Sequence, residues 1–310
     1  MLELYHMAKN SFRTLTLSRD EEDRLYEAWK EFESKAPAYA RFQLRPENCV
    51  ITCYESGKTL FQGSDADVYA SPFMNNETLN KKTESVSSVT KGNSRKIILP
   101  QAGSDEVGTG DYFGPVCVCA AIVTADDIAL LEKLGIRDSK QINDETIRKA
   151  SPQLMKQLTH SLLIVDNARY NRVHETANLN KIKAMLHNQA YLNLAKKTAL
   201  PDFRIIDQFE PEISYYRHLR SQPDVVRGIH FETKAEDKYP SVGAASVIAR
   251  YAFLTYMDAM EKQYGMHFAK GGGKQADQSG IEFISKYGEE KLGDVAKLHF
   301  ANTQKILKAR

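Results

Sequence analysis

At 310 residues the chain exceeds what one hydrophobic core usually organises, so two domains are expected. Its 42% hydrophobic and 26% charged residues are those of a globular protein and exclude a disordered or fibrous chain. The net charge of +2 is too small to announce a polyanionic partner, although residues 1–90 carry a net −3 and the remainder +5.

Ser18 opens "SRDEEDRLYEAWKEFESK", in which Glu21 can complete a capping box and acids fill the first turn. Leu25, Ala28, Trp29 and Phe32 follow at helical spacing, which predicts an amphipathic helix. After Pro37 the period changes to two. "YARFQLRPE", "CVITCYES" and "KTLFQG" alternate like antiparallel strands, with "ESGK" as a turn, so a helix should lie across a small curved sheet. Residues 76–94 are polar and without either period, which predicts a flexible linker between a first domain at 1–75 and a second at 95–310. In the second, "VCVCAAIV", a helix from near Asp126, "HSLLIVDNA", a polar helix over 178–197, the strand "FRIID" and a long helix over 240–262 interleave as an α/β domain.

Cys49, Cys53, Cys117 and Cys119 match no zinc framework and read as buried thiols, which suits a reducing cytoplasm. Neither a secretory leader nor a membrane span is expected, because no apolar run is long enough.

The chemistry concentrates in acids at the ends of strands. "GSDEVGTGDYFGPV" sets Asp105 and Glu106 side by side before the bend at Gly108 and Gly110, and adjacent like charges repel unless something offsets them. The apolar "RII" runs into Asp207, at the kind of strand end where α/β sheets meet their ligands. Glu236 and Asp237 lie just ahead of Pro240, whose fixed φ suits a first helical turn. Taken singly, each acid also fits a solvated turn or a cap. Together, hard carboxylates with no His or Cys among them are what Mg²⁺ prefers, and a pair of such ions can clamp both oxygens of a phosphoryl displacement.

"SDEVGTGDYFGPV" resembles the first motif of the type 2 ribonuclease H group. With "RIIDQF", "TKAED", "AASVIARYAF", "LHFANTQK" and the "DSK" at Asp138, the second half resembles ribonuclease HIII. The resemblance implies a ribonuclease H-like mixed sheet flanked by helices, preceded by a small α+β TATA-binding-protein-like domain. It implies an endonuclease that cuts the RNA strand of RNA/DNA hybrids with Mg²⁺ or Mn²⁺, with Asp105, Glu106 and Asp207 as metal ligands. Ungapped counting puts Glu236 at the fourth acidic position, with the adjacent Asp237 as the other candidate. The loop Gly108-Thr109-Gly110 lacks the central arginine of ribonuclease HII, so preference for a single embedded ribonucleotide is not expected, while its backbone can still approach a 2′-OH. Lys140 and Lys234, each in a family motif near an acid, are the expected phosphate contacts.

In the first domain, alternation sets Arg41, Gln43 and Arg45 opposite Phe42 and Leu44, and Tyr54 can stack on a sugar or base, so a sheet face for the duplex is expected. "AKGGGKQ" reads as a mobile basic loop. No obligate protein partner is expected, and the chain should act as a monomer. Two other functions fit the same residues: a catalytically silent hybrid-binding protein, and a Mg²⁺-dependent nuclease for other duplexes.

Overall fold

The computed structural model describes residues 11–46, 49–63, 65–73, 98–136 and 142–309. The expected linker at 76–94 and Lys140 lie outside them. The chain forms two compact units, Met1–Arg95 with Glu210–Gln222, and Lys96–Phe209 with Pro223–Arg310.

The first unit is an antiparallel sheet of β1 (Ser11–Thr16), β2 (Glu33–Ser34), β3 (Ala40–Leu44), β4 (Val50–Tyr54) and β5 (Lys58–Gly63), in the order β1-β5-β4-β3-β2. The helix Arg19–Trp29 starts at the expected capping box, where the Ser18 N–H and hydroxyl each donate to Glu21 Oε2 at 2.8 Å. Its Leu25 and Trp29 are buried with Phe42, Leu44, Ile51, Cys53 and Phe61 of the sheet, so period 3.6 meets period 2 across one core.

The helix Glu212–His218 belongs to this unit as well, although its place in the sequence put it in the catalytic half. Ile213 is buried in the same core, and the Arg217 guanidinium stands 5.0 Å from the Trp29 ring. Once β9 has ended, an apolar side chain is free to join whichever core it reaches, and nothing in local periodicity records which one.

The second unit is a mixed sheet of β6 (Gln101–Val107), β7 (Val116–Val123), β8 (His160–Val165), β9 (Phe203–Asp207) and β10 (Ile229–Glu232), in the order β10-β9-β6-β7-β8. The central β6 pairs antiparallel with β7 and parallel with β9. β7 is buried along its whole length, as its unbroken apolar sequence predicts for a strand covered on both faces. Cys117, Cys119, Ala121 and Val123 share a core with Ala244, Ala245, Ile248 and Ala252 of the helix Pro240–Tyr264. All four cysteines are free and buried, and burial pushes the Cys117 thiol up to about 12. Gly103 is where β6 and that helix touch, since a Cβ there would collide with Ser241 Oγ and the Val242 nitrogen. This contact brings the helix's first turn, and the acids ahead of it, to the strand that carries Asp105.

Candidate active site

Adjacent residues on a strand face opposite sides of the sheet, and this arrangement separates Asp105 from Glu106. Asp105 is buried and accepts hydrogen bonds from Ser246 and, at 2.7 Å, from the Glu106 N–H. Glu106 shares a side with Ser104 and meets the helix Leu179–Ala195. Its Oε1 accepts from Lys183 Nζ at 3.0 Å, and its Oε2 is paired with His187 Nε2 at 2.8 Å. His187 Nδ1 is in turn 2.8 Å from Ser104 Oγ.

The parallel register of β6 and β9 pairs Ser104 with Ile206, so the next residues in line are Asp105 and Asp207. Asp207 Oδ1 accepts from the Ala235 N–H at 2.9 Å. That N–H is aimed by Lys234, which turns the chain with φ +56 in the left-handed region and has an exposed side chain. Glu236 follows, 9% exposed, whereas Asp237 is exposed.

The electrostatics follow from this crowding. Burial, then the charges of Glu106 and Asp207, hold the Asp105 carboxyl well above the ordinary carboxylate range. Burial, opposed by the Ala235 hydrogen bond and reinforced by the charge of Glu236, pushes Asp207 up to about 6. Burial would raise Glu106 too, but the His187 hydrogen bond and the charges of His187 and Lys183 outweigh it and hold Glu106 below its usual value. Among the described residues no three His, Cys, Asp or Glu side chains converge closely enough to ligate one ion, and Glu106 is turned toward Lys183 and His187. The donor set nevertheless fits a hard divalent cation. Its members are all carboxylates, and two of them are raised partly by their neighbours' negative charge, which a cation would offset.

The loop after β6 is anchored rather than loose. Gly108 has φ +95, and a Cβ there would collide with the Pro115 carbonyl. Gly110 is exposed with no atom within 4 Å of its would-be Cβ, and Thr109 between them is half-buried. Lys297 Nζ, buried, donates to the Asp111 and Gly114 carbonyls at 2.8 and 2.6 Å, and burial brings its ammonium down to about 7. "AKGGGKQ", expected to be mobile, is tied to this loop: the Gly271 N–H donates to Asp111 Oδ1 at 2.6 Å, and the Tyr112 N–H to the Gly271 carbonyl at 3.0 Å.

In the first unit one expected face is altered. The β3–β4 register shifts between Ala40 and Phe42, and this bulge turns Arg41 to the helix side. There its guanidinium pairs with Glu22 at 2.6 Å and Asp23 at 2.8 Å, so it does not share a face with Gln43 and Arg45. Gln43 is buried and donates to Thr52 Oγ1, while the exposed Arg45 donates to Gln43 Oε1 at 3.1 Å. Tyr54 is half-buried at the end of β4.

Lys183 and His187 escape a motif search. The signal that could find them is a helical wheel: two polar residues four apart on the face that also buries Ile182, Ala184, Ala190, Tyr191 and Leu194.

A mixed sheet of this topology with acids gathered at its strand ends is that of a type 2 ribonuclease H, and residues 102–303 match the family model described as Ribonuclease HII. Residues 14–86 match a second model, described only as a domain of unknown function, DUF3378. Ribonuclease HIII of Bacillus pumilus is 42% identical over 277 residues, 88% of this chain and 90% of the relative. That of Bacillus mycoides is 39% identical over 310 residues, 96% and 98%. The solved structure of Bst-RNase HIII in complex with Mn²⁺ is similar with a TM-score of 0.66 and 36% identity, over 96% of this chain and 99% of that one. The chain belongs to the ribonuclease HIII family. It is accordingly an endonuclease for the RNA strand of RNA/DNA hybrids that works with a divalent metal ion. Among the described residues no helix is long and apolar enough to cross a membrane.

Proposed function

We propose that the metal is Mg²⁺, with Mn²⁺ able to replace it, and that Asp105, Glu106 and Asp207 hold it, with Glu236 rather than Asp237 as the fourth acid. The observation that carries this reading is the register that sets Asp105 beside Asp207, with both carboxyls raised by burial and by the negative charge of neighbouring acids, which a bound cation would offset. When bound, the metal supplies positive charge at the attacking and leaving oxygens of the phosphodiester. Glu236 is buried and its charge acts on Asp207, which supports its place in the cluster, whereas Asp237 is exposed.

Gly108, Thr109 and Gly110 present backbone groups to the 2′-OH of the strand being cut. Gly110 is exposed with open space where a Cβ would stand, so a sugar can approach its backbone closely, which supports the reading. Lys234 contacts a phosphate from its exposed position beside Ala235, and Lys140 does the same from outside the described residues.

The first unit, read as a substrate-binding domain over 1–75 joined by a linker at 76–94 to a catalytic domain over 95–310, meets the duplex backbone through Arg45 and Tyr54. Arg41, neutralised by Glu22 and Asp23, has little charge left for a phosphate. Four free, buried thiols suit a monomer working in the cytoplasm.

One assay tests the whole reading: labelled RNA/DNA, DNA/DNA and RNA/RNA duplexes incubated with and without Mg²⁺. Cleavage confined to the RNA of the hybrid, and only with metal, is expected. Binding without cleavage would make the chain a hybrid-binding protein, and cleavage of DNA/DNA would make it a nuclease of another specificity.

A further inference from the structure

Lys183 is an unusual charge to bury. The residue is 8% exposed, with its Nζ 3.9 Å from the centroid of the Phe209 ring and 3.0 Å from Glu106 Oε1. His187, one turn along the same helix and fully buried, takes the other oxygen of Glu106 while Ser104 holds its far nitrogen. Both oxygens of a carboxylate read as a metal ligand therefore have partners from one helix. The two partners differ in kind. His187 is fixed at both ring nitrogens and cannot follow a moving carboxylate, so it fixes where Glu106 points, as hydrogen bonds to the outer side of a metal ligand generally do. Lys183 is a compact charge on a long stem. Its ammonium occupies the kind of position at Glu106 that an incoming cation needs, and a cation bound beside it would be repelled.

We propose that these residues act on Glu106 in opposite senses: His187 is a positioning residue that favours metal binding, and Lys183 is a built-in counter-cation that steadies the metal-free site and competes with the metal. This rests on the reading of Glu106 as a metal ligand. It predicts that removing the Lys183 ammonium strengthens metal binding, which a merely structural role for Lys183 would not do.

The test uses the full-length protein without nucleic acid, with Mn²⁺ as the probe, its free fraction followed by electron paramagnetic resonance and its binding by calorimetry. Lys183→Met should bind Mn²⁺ tighter by about tenfold, because a like charge has gone. In chelator the same variant should melt below the parent, and added Mn²⁺ should narrow the difference. His187→Ala should bind Mn²⁺ more weakly by about tenfold, with His187→Gln, which retains a donor, closer to the parent. Lys183→Gln, of polar character and similar length, repeats the first arm if the Met variant folds poorly. Glu106→Gln serves as the control on the underlying reading, and parent-like Mn²⁺ binding by it would remove Glu106 from the ligand set. If Glu106→Gln loses Mn²⁺ while both Lys183 variants bind it no better than the parent, competition by Lys183 is overturned. Parent-like binding by both His187 variants would overturn its positioning role.

Discussion

The carboxyl of Asp207 offers a quantitative test of the active-site electrostatics in the metal-free protein. In the unfolded chain it takes up its proton near 3.8, and in the folded protein near about 6, because burial and then the charge of Glu236 oppose ionisation more than the Ala235 hydrogen bond favours it. Between those values the folded state binds more protons than the unfolded state, so stability must fall as pH rises. The contribution is complete below 3.8 and is lost once pH exceeds about 6. Going from 3.8 to about 6 corresponds to at most about 3 kcal/mol, and because the carboxyl is partly open to water, screening reduces this to about half. For a unit of this size that is about 3–6 °C in Tm. Asp207→Asn keeps the shape and an oxygen for the Ala235 N–H but removes the charge, so in chelator it should melt above the parent at pH ~7.5, lose about half of that advantage at pH ~5 and most of it by pH ~4. The assay is thermal denaturation followed by circular dichroism at several pH values, in chelator and then with Mg²⁺. Mg²⁺ should raise the Tm of the parent near neutrality and leave Asp207→Asn almost unmoved. Parallel pH profiles for parent and variant would refute the reasoning, because Asp207 would then carry no folding cost as an anion.

The same substitution should abolish hybrid cleavage at saturating Mg²⁺ while gel-shift affinity for the hybrid stays near that of the parent, since ligand charge is what holds the metal. Glu236→Gln should reduce kcat by orders of magnitude and Asp237→Asn only mildly, because Glu236 is buried and its charge acts on Asp207 whereas Asp237 is exposed; equal mild losses would count against both as the fourth acid. Gly110→Ala should leave the melting temperature unchanged, given the open space at its Cβ, yet impair cleavage of the hybrid, and full activity would remove the loop from substrate contact. Arg45→Ala should raise KM more than it lowers kcat and flatten the log–log salt slope by about one. Arg41→Ala should instead cost about 1–3 kcal/mol of stability, because it strips a partner from the buried Glu22, and leave KM unchanged.

What the sequence determined by itself was whatever a few neighbouring residues can encode. The Ser18–Glu21 capping box, the apolar stripe from Leu25 to Trp29 and the unbroken apolar β7 each carry their own period or cap, and each formed as read. Strand ends are equally local, so Asp105, Glu106 and Asp207 were legible as acids at the rim of a sheet. Their mutual arrangement was a matter of register: only the pairing of Ser104 with Ile206 sets Asp105 beside Asp207. The tertiary structure alone decided the rest. A one-residue bulge turned Arg41 from an expected duplex face to Glu22, although alternation predicted otherwise. The helix Glu212–His218 joined the first unit because Ile213 found a core there. Lys183 and His187 reached Glu106 across 77 and 81 residues of sequence. Caps and periods are fixed by backbone geometry within a turn or two, whereas a buried charge's partner is fixed by which surfaces pack, and that is a property of the whole fold.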